Sequence, residues 1–180
     1  MNRTILVGPS LGPALLELRE WLGVTREAEN PQLTALLAAA IETCEAFTGT
    51  VPLACECESV LPVRPGWQGI AARPVDAVLG LEGIPAEGAR FAMASDAWEA
   101  ELAADGTACI RVIRQGAAGR VAVRYLAGLA SDWASLPDGL KHGILRLAAH
   151  HYRSRDAGEP TAPPAAVAAL WRPWRVMRVA

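Results

Sequence analysis

Residues 30–49 read Asn30-Pro-Gln-Leu-Thr-Ala-Leu-Leu-Ala-Ala-Ala-Ile-Glu-Thr-Cys-Glu-Ala-Phe-Thr-Gly49. Asn30 is a helix-capping residue type, Pro31 suits a first helical position, and Gly49 suits a stop. Between them Leu33, Leu36, Leu37, Ala40, Ile41, Cys44 and Phe47 recur at helical spacing. Glu42 and Glu45 fall outside that stripe. An earlier helix is predicted over residues 10–23, where Leu11, Leu15, Leu18 and Leu22 share one face. Pro13 stands near its start and Gly23 at its end. The acidic linker 24–29 is short, so the two helices are expected to form an antiparallel pair.

Downstream the pattern changes to short β-type runs broken by Gly and Pro, from residue 51 to residue 126. The best strands are 75–81, 90–93, 108–114 and 120–126. The last two flank Gln115-Gly-Ala-Ala-Gly119, which reads as a hairpin connection. Val121, Val123 and Tyr125 alternate with Ala122 and Arg124, as in a half-buried strand. Residues 62–70 read as a loop carrying Trp67, and the run 94–105 has no clear pattern. A third helix is expected from about Pro137 to Ser154, with Leu140, Ile144, Leu147, Ala148 and His151 on its apolar face. His142, Arg146, His150 and Arg153 form a second, basic stripe on it. A linker over 158–164 and a short helix over 164–171 follow. The expected class is α+β: an N-terminal helix pair, a central antiparallel β region of short strands, a long helix in the C-terminal half and an extended tail. The expected division is one domain over 1–157, with linker, short helix and tail over 158–180.

The whole chain has 180 residues, 52% apolar and 20% charged, which is the composition of a folded domain. No run has the length of a signal-peptide core or a membrane span, so no signal peptide, no spanning helix and no membrane partner are expected. Cys44, Cys55, Cys57 and Cys109 match no disulfide or paired zinc spacing and read as free thiols. The net charge of −2 conceals a split: residues 1–110 hold 6 basic and 15 acidic residues (−9), residues 111–180 hold 11 and 4 (+7). Such a split fits either a one-sided contact with an acidic partner, a membrane or nucleic acid, or two halves that neutralise each other.

Catalytic patterns are absent from the sequence. It has no phosphate-cradling glycine motif and no nucleophile elbow. His150 and His151 are adjacent on one helix and point about 100° apart, a poor geometry for one metal. Cys55 and Cys57 would share a strand face, with Glu56 and Glu58 opposite. Zinc binding by the cysteines with Cys109 and a histidine, or acid–base work by the carboxylates, would need further groups that the spacing does not supply. No catalytic, cofactor-binding or metal site is expected, and no enzyme activity.

The C-terminal run Trp171-Arg-Pro-Trp-Arg-Val-Met-Arg-Val-Ala180 is apolar and aromatic where termini are usually polar. Trp and Arg are the residue types most enriched at interface hot spots. The run either docks on the chain's own core or inserts into a partner. Pro173 predicts an extended backbone beyond it.

Three stretches together resemble the head–tail connector (adaptor) proteins of tailed phages and gene transfer agents. They are the helix pair (Ala14–Leu22, Leu33–Ile41 and Cys44–Gly49), the run Val121-Ala-Val-Arg-Tyr-Leu-Ala-Gly128 with Leu136-Pro-Asp-Gly-Leu140 and the helix ending His150-His-Tyr-Arg-Ser-Arg155, and Leu170-Trp-Arg-Pro-Trp-Arg175. The region 51–108 matches only in general character. The resemblance implies a structural protein that forms a ring, usually twelvefold, below the portal. Such a ring continues the double-stranded DNA channel without reading sequence and meets a stopper or tail terminator protein. It places the protein at the head–tail junction of a virion or phage-like particle, after assembly in the host cytoplasm. It implies portal docking by Trp171, Arg172, Pro173, Trp174 and Arg175, to which the nearby Arg178 is added from the tail's own pattern; the basic stripe His142, Arg146, His150 and Arg153 is a second candidate contact read from the helix itself. The competing expectation is a small nucleic-acid-associated protein that uses its basic C-terminal half.

Overall fold

The computed structural model describes residues 3–154 and 163–175. They divide into two units, each assembled from stretches far apart in sequence: Met1–Gly8 with Ala54–Leu129, and Pro9–Leu53 with Ala130–Ala180. This division cuts across the expected one at 157/158, because the short C-terminal helix packs into the same unit as the first two helices.

The second unit is helical. It comprises α1 (Gly12–Leu22), α2 (Asn30–Thr48), α3 (Asp138–Arg153) and α4 (Ala165–Trp171). Gly23 and Gly49 close α1 and α2 in the left-handed conformation, at φ 69° and 75°. A side chain there would be strained, which is why glycine marks both stops. Asn30 does not cap α2. A 3-10 turn over Glu27–Glu29 feeds straight into the helix, so Asn30 already has helical φ and ψ, and its Oδ1 finds no hydrogen-bond partner. Leu33, Leu37, Ala40 and Cys44 of α2 are fully buried, together with Leu18 of α1 and Leu140, Ile144, Leu147 and Ala148 of α3. Each such leucine or isoleucine contributes roughly 1.5–3 kcal/mol by leaving water. Two hydrogen bonds tie distant stretches across this core. The Trp133 indole N–H donates to Glu17 at 2.7 Å, and the Tyr152 hydroxyl bonds Glu29 at 2.5 Å.

The first unit is all β. Its strands are β1 (Arg3–Val7), β2 (Cys55–Pro62), β3 (Gln68–Gly69), β4 (Val75–Pro85), β5 (Phe91–Ala92), β6 (Trp98–Leu102), β7 (Ala108–Val112) and β8 (Ala118–Ala127). One sheet has the order β1-β2-β8-β4-β5 and the other β3-β7-β6, with antiparallel neighbours throughout. β8 is central: Val121, Val123 and Tyr125 are buried as the alternation predicts, Ala122 is buried as well, and Tyr125 Oη meets Ser59 Oγ of β2 at 2.9 Å. The expected hairpin between 108–114 and 120–126 does not form. A strand has two edges, and β2 and β4 occupy both edges of β8. β7 therefore turns into the other sheet, between β3 and β6. The patternless run 94–105 is a 3-10 turn, Ser95–Ala97, followed by β6. β1 was not anticipated. Its partner β2 lies some fifty residues downstream, and no local signal announces that pairing.

Gly143 of α3 lies so close to Trp171 that a Cβ there would sit 2.1 Å from the indole nitrogen. Gly139, one turn earlier, has ordinary clearance of 3.5 Å or more. Gly143→Ala should therefore destabilise the fold by about 1–3 kcal/mol through overpacking. Gly139→Ala should be neutral or slightly stabilising in the same urea titration.

Candidate protein-docking surface

α4 is a seven-residue helix in which Val167 and Trp171, one turn apart, are the buried positions. Trp171 is 0% exposed. Its indole N–H donates to the Leu140 carbonyl at 3.4 Å, and its ring lies 5.9 Å from that of Phe47. Gly143 supplies the space it fills. Trp171 is thus a core residue of its own chain.

Pro173 predicts an extended backbone beyond it; among the described residues Arg175 is extended, and residues 176–180 lie outside them. Arg172–Trp174 forms a 3-10 turn, and the first extended residue is Arg175. Proline's fixed φ fits the opening of a helical turn, and its missing N–H would have had no partner there. The turn leaves Trp174 half-buried beside Gly139 and exposes Arg172, Pro173 and Arg175. The Arg175 guanidinium lies 5.6 Å from the centre of the Phe47 ring. Arg178 lies outside the described residues, as do Val176, Met177 and Val179.

The basic stripe of α3 is uneven. Arg146 and Arg153 are exposed. His142 is half-buried, edge-on to Trp21 at 5.2 Å, and His150 lies 6.0 Å from His151. Among the described residues no group of histidines, cysteines and carboxylates could hold a metal ion. Cys55 and Cys57 are buried on β2, and their sulfurs lie 3.4 Å apart. Cys109 belongs to the other sheet. Glu56 and Glu58 are engaged by Arg124 and Arg90 on the outer sheet face.

Those ion pairs recast the charge split. Arg111 bonds Glu99, Arg114 bonds Asp96 and Arg124 bonds Glu56, so arginines of the basic half meet acids of the acidic half across neighbouring strands or turns. By unit the imbalance vanishes. The sheet unit carries 8 basic and 9 acidic residues and the helical unit 9 and 10, a net −1 each. Within each unit the split by sequence half persists: in the helical unit 9–53 hold 2 basic and 6 acidic residues and 130–180 hold 7 and 4, and in the sheet unit 1–8 with 54–110 hold 4 and 9 and 111–129 hold 4 and none. Among the described residues Arg146, Arg153, Arg172 and Arg175 have no acidic partner within 4 Å. An unpaired guanidinium on a folded surface is available to a carboxylate from outside, which it can grip with two parallel N–H bonds.

No family model matches the chain, and no curated protein does. Solved structures do. A chain in the neck of an empty gene transfer agent particle, computed with C6 symmetry, aligns with a TM-score of 0.75 at 25% identity, over 100% of this chain and 98% of the other. The fold is that of gene transfer agent particle chains. A chain of the native gene transfer agent virion aligns at 0.74 and 27% identity, again over 100% and 98%. A chain of the native neck, computed with C12 symmetry, aligns at 0.72 and 26%, over 98% and 97%. The likeness spans both units.

Two predictions separate core from surface. Trp171→Ala should cost about 3–5 kcal/mol in urea unfolding, while Arg172→Ala should leave the midpoint unchanged. Burial and the neighbouring Glu45 push the Cys44 thiol up to about 12, and Cys55 and Cys57 are also buried. In the folded protein at neutral pH a thiol reagent should therefore modify Cys109 first, and the other three only on unfolding.

Proposed function

We propose that this chain is a structural component of the neck of a phage-like particle, and within it the head–tail connector. The observation that carries the reading is the end-to-end likeness to neck chains of gene transfer agents. Copies form a ring, and the C6 and C12 symmetry of those necks favours a twelvefold one. The ring joins the portal to a stopper or tail terminator and lets DNA pass through its channel.

In this reading Arg172, Pro173, Trp174 and Arg175 form the portal contact, and Trp171 holds them in place from the core. Arg146 and Arg153 offer a second contact, framed by His142 and His150. The unpaired guanidinia fit an acidic protein surface. The net −1 of each unit favours a protein partner over nucleic acid, whose binders carry a strongly basic face. The role is structural, without catalysis.

The test must spare Trp171, since removing it would destabilise the helical unit and confound the readout. Arg172→Glu with Arg175→Glu should leave the unfolding midpoint unchanged and sharply reduce recovery of the chain with portal-bearing particles. Recovery at the wild-type level would contradict the portal contact.

A further inference from the structure

The arginines of the sheet unit are not all neutralised. Arg90, Arg111, Arg114 and Arg124 each hold a carboxylate. Among the described residues Arg64 and Arg120 have no acidic partner within 4 Å. The fold brings these two together. At the end of the β2–β8 ladder Pro62 stands opposite Arg120. One residue on, the Val63 N–H donates to the Gly119 carbonyl at 3.1 Å. Pro65 biases Arg64 toward extended backbone, which makes Arg64 the diagonal neighbour of Arg120 across the pair. Both are exposed. The two loops that meet here, 62–70 and 113–119, contain no acidic residue.

We infer that this end of the sheet, through Arg64 and Arg120, touches the phosphate backbone of the duplex that passes through the ring. The inference rests on the ring reading. Two exposed guanidinia with no carboxylate beside them call for an anion, and a guanidinium grips a phosphate with two parallel N–H bonds. Each copy in a ring meets the duplex at a different rotation of its helix, so no copy has a fixed base or groove in front of it. Phosphates are the feature of the duplex that recurs for every copy, and contacts to them carry no sequence information. Long side chains at the ends of loops tolerate the mismatch. Two contacts per chain give little affinity, and sequence-independent phosphate contacts of this kind let DNA slide. Such a contact needs no net positive charge on the sheet unit, which carries −1.

A photo-reactive benzophenone side chain in place of Ala117, in the loop 113–119 of the full-length chain in DNA-filled particles, tests this. The control carries the probe in place of Ala104, in the turn whose Gly106 carbonyl accepts from the Val75 N–H. Val75 pairs with Ala127, so that turn lies at the far end of β8, about 30 Å from the loop. Irradiation should join the Ala117 chain to DNA, seen as a nuclease-sensitive shift, and leave the Ala104 chain free. Arg64→Ala with Arg120→Ala should cut the DNA product about tenfold, with the unfolding midpoint and the recovery of the chain in particles unchanged. Arg64→Lys with Arg120→Lys should restore most of it, since a phosphate also accepts a point charge. No DNA product from the Ala117 probe, an equal product from Ala104, or a product indifferent to loss of the two guanidinia overturns the contact and leaves the neck reading standing. Loss of the double alanine variant from particles would make this end of the sheet a protein contact and overturn it too. Absence of the wild-type chain from particles is a different result: it overturns the neck reading, and the DNA contact with it.

Discussion

The Trp171 indole, seated against Gly143 and Leu140 of α3 and beside Phe47 of α2, is the contact on which the helical unit depends. It closes a core whose helices come from opposite ends of the sequence. It also determines what the following residues present. With Trp171 anchored, the 3-10 turn after it exposes Arg172 and Arg175 while Trp174 stays half-buried. A segment that looks from its composition like a free hook is an anchor followed by a short charged rim. Hot-spot chemistry of the Trp/Arg kind then divides in two: the aromatic holds the segment, and the exposed guanidinia are the groups proposed to meet a partner.

The same division of labour runs through the charges. In the sheet unit arginines and carboxylates face each other across strands or turns and neutralise locally. Exposed pairs of this sort add little stability. In the helical unit the arginines of α3 and of the C-terminal turn lack acidic partners among the described residues. The −9 and +7 of the sequence halves therefore do not describe two faces of the molecule. What matters is which guanidinia remain unpaired after folding.

How much of this could be read in the sequence follows from the range of each signal. Helix ends were legible because Gly23, Gly49 and Pro31 act on their own backbone. The buried face of β8 was legible from its alternation, its central place was not. Strand pairing was not, because which edge is free depends on strands tens of residues away, and this is why β7 leaves β8 and why β1 went unseen. The portal residues taken from the resemblance were local in sequence but not alike in environment. The clue to Trp171 lay in Gly143, since a glycine inside an otherwise strong helix costs about 1 kcal/mol and calls for a close approach by something large.

The central claim is that this chain sits in the neck as a closed ring. A cryo-electron reconstruction of particles carrying the labelled chain tests it most directly. The account predicts label and density confined to the head–tail junction, in a ring into which copies of this fold dock as a whole. Label in the capsid shell or along the tail, or particles complete without the chain, would contradict it.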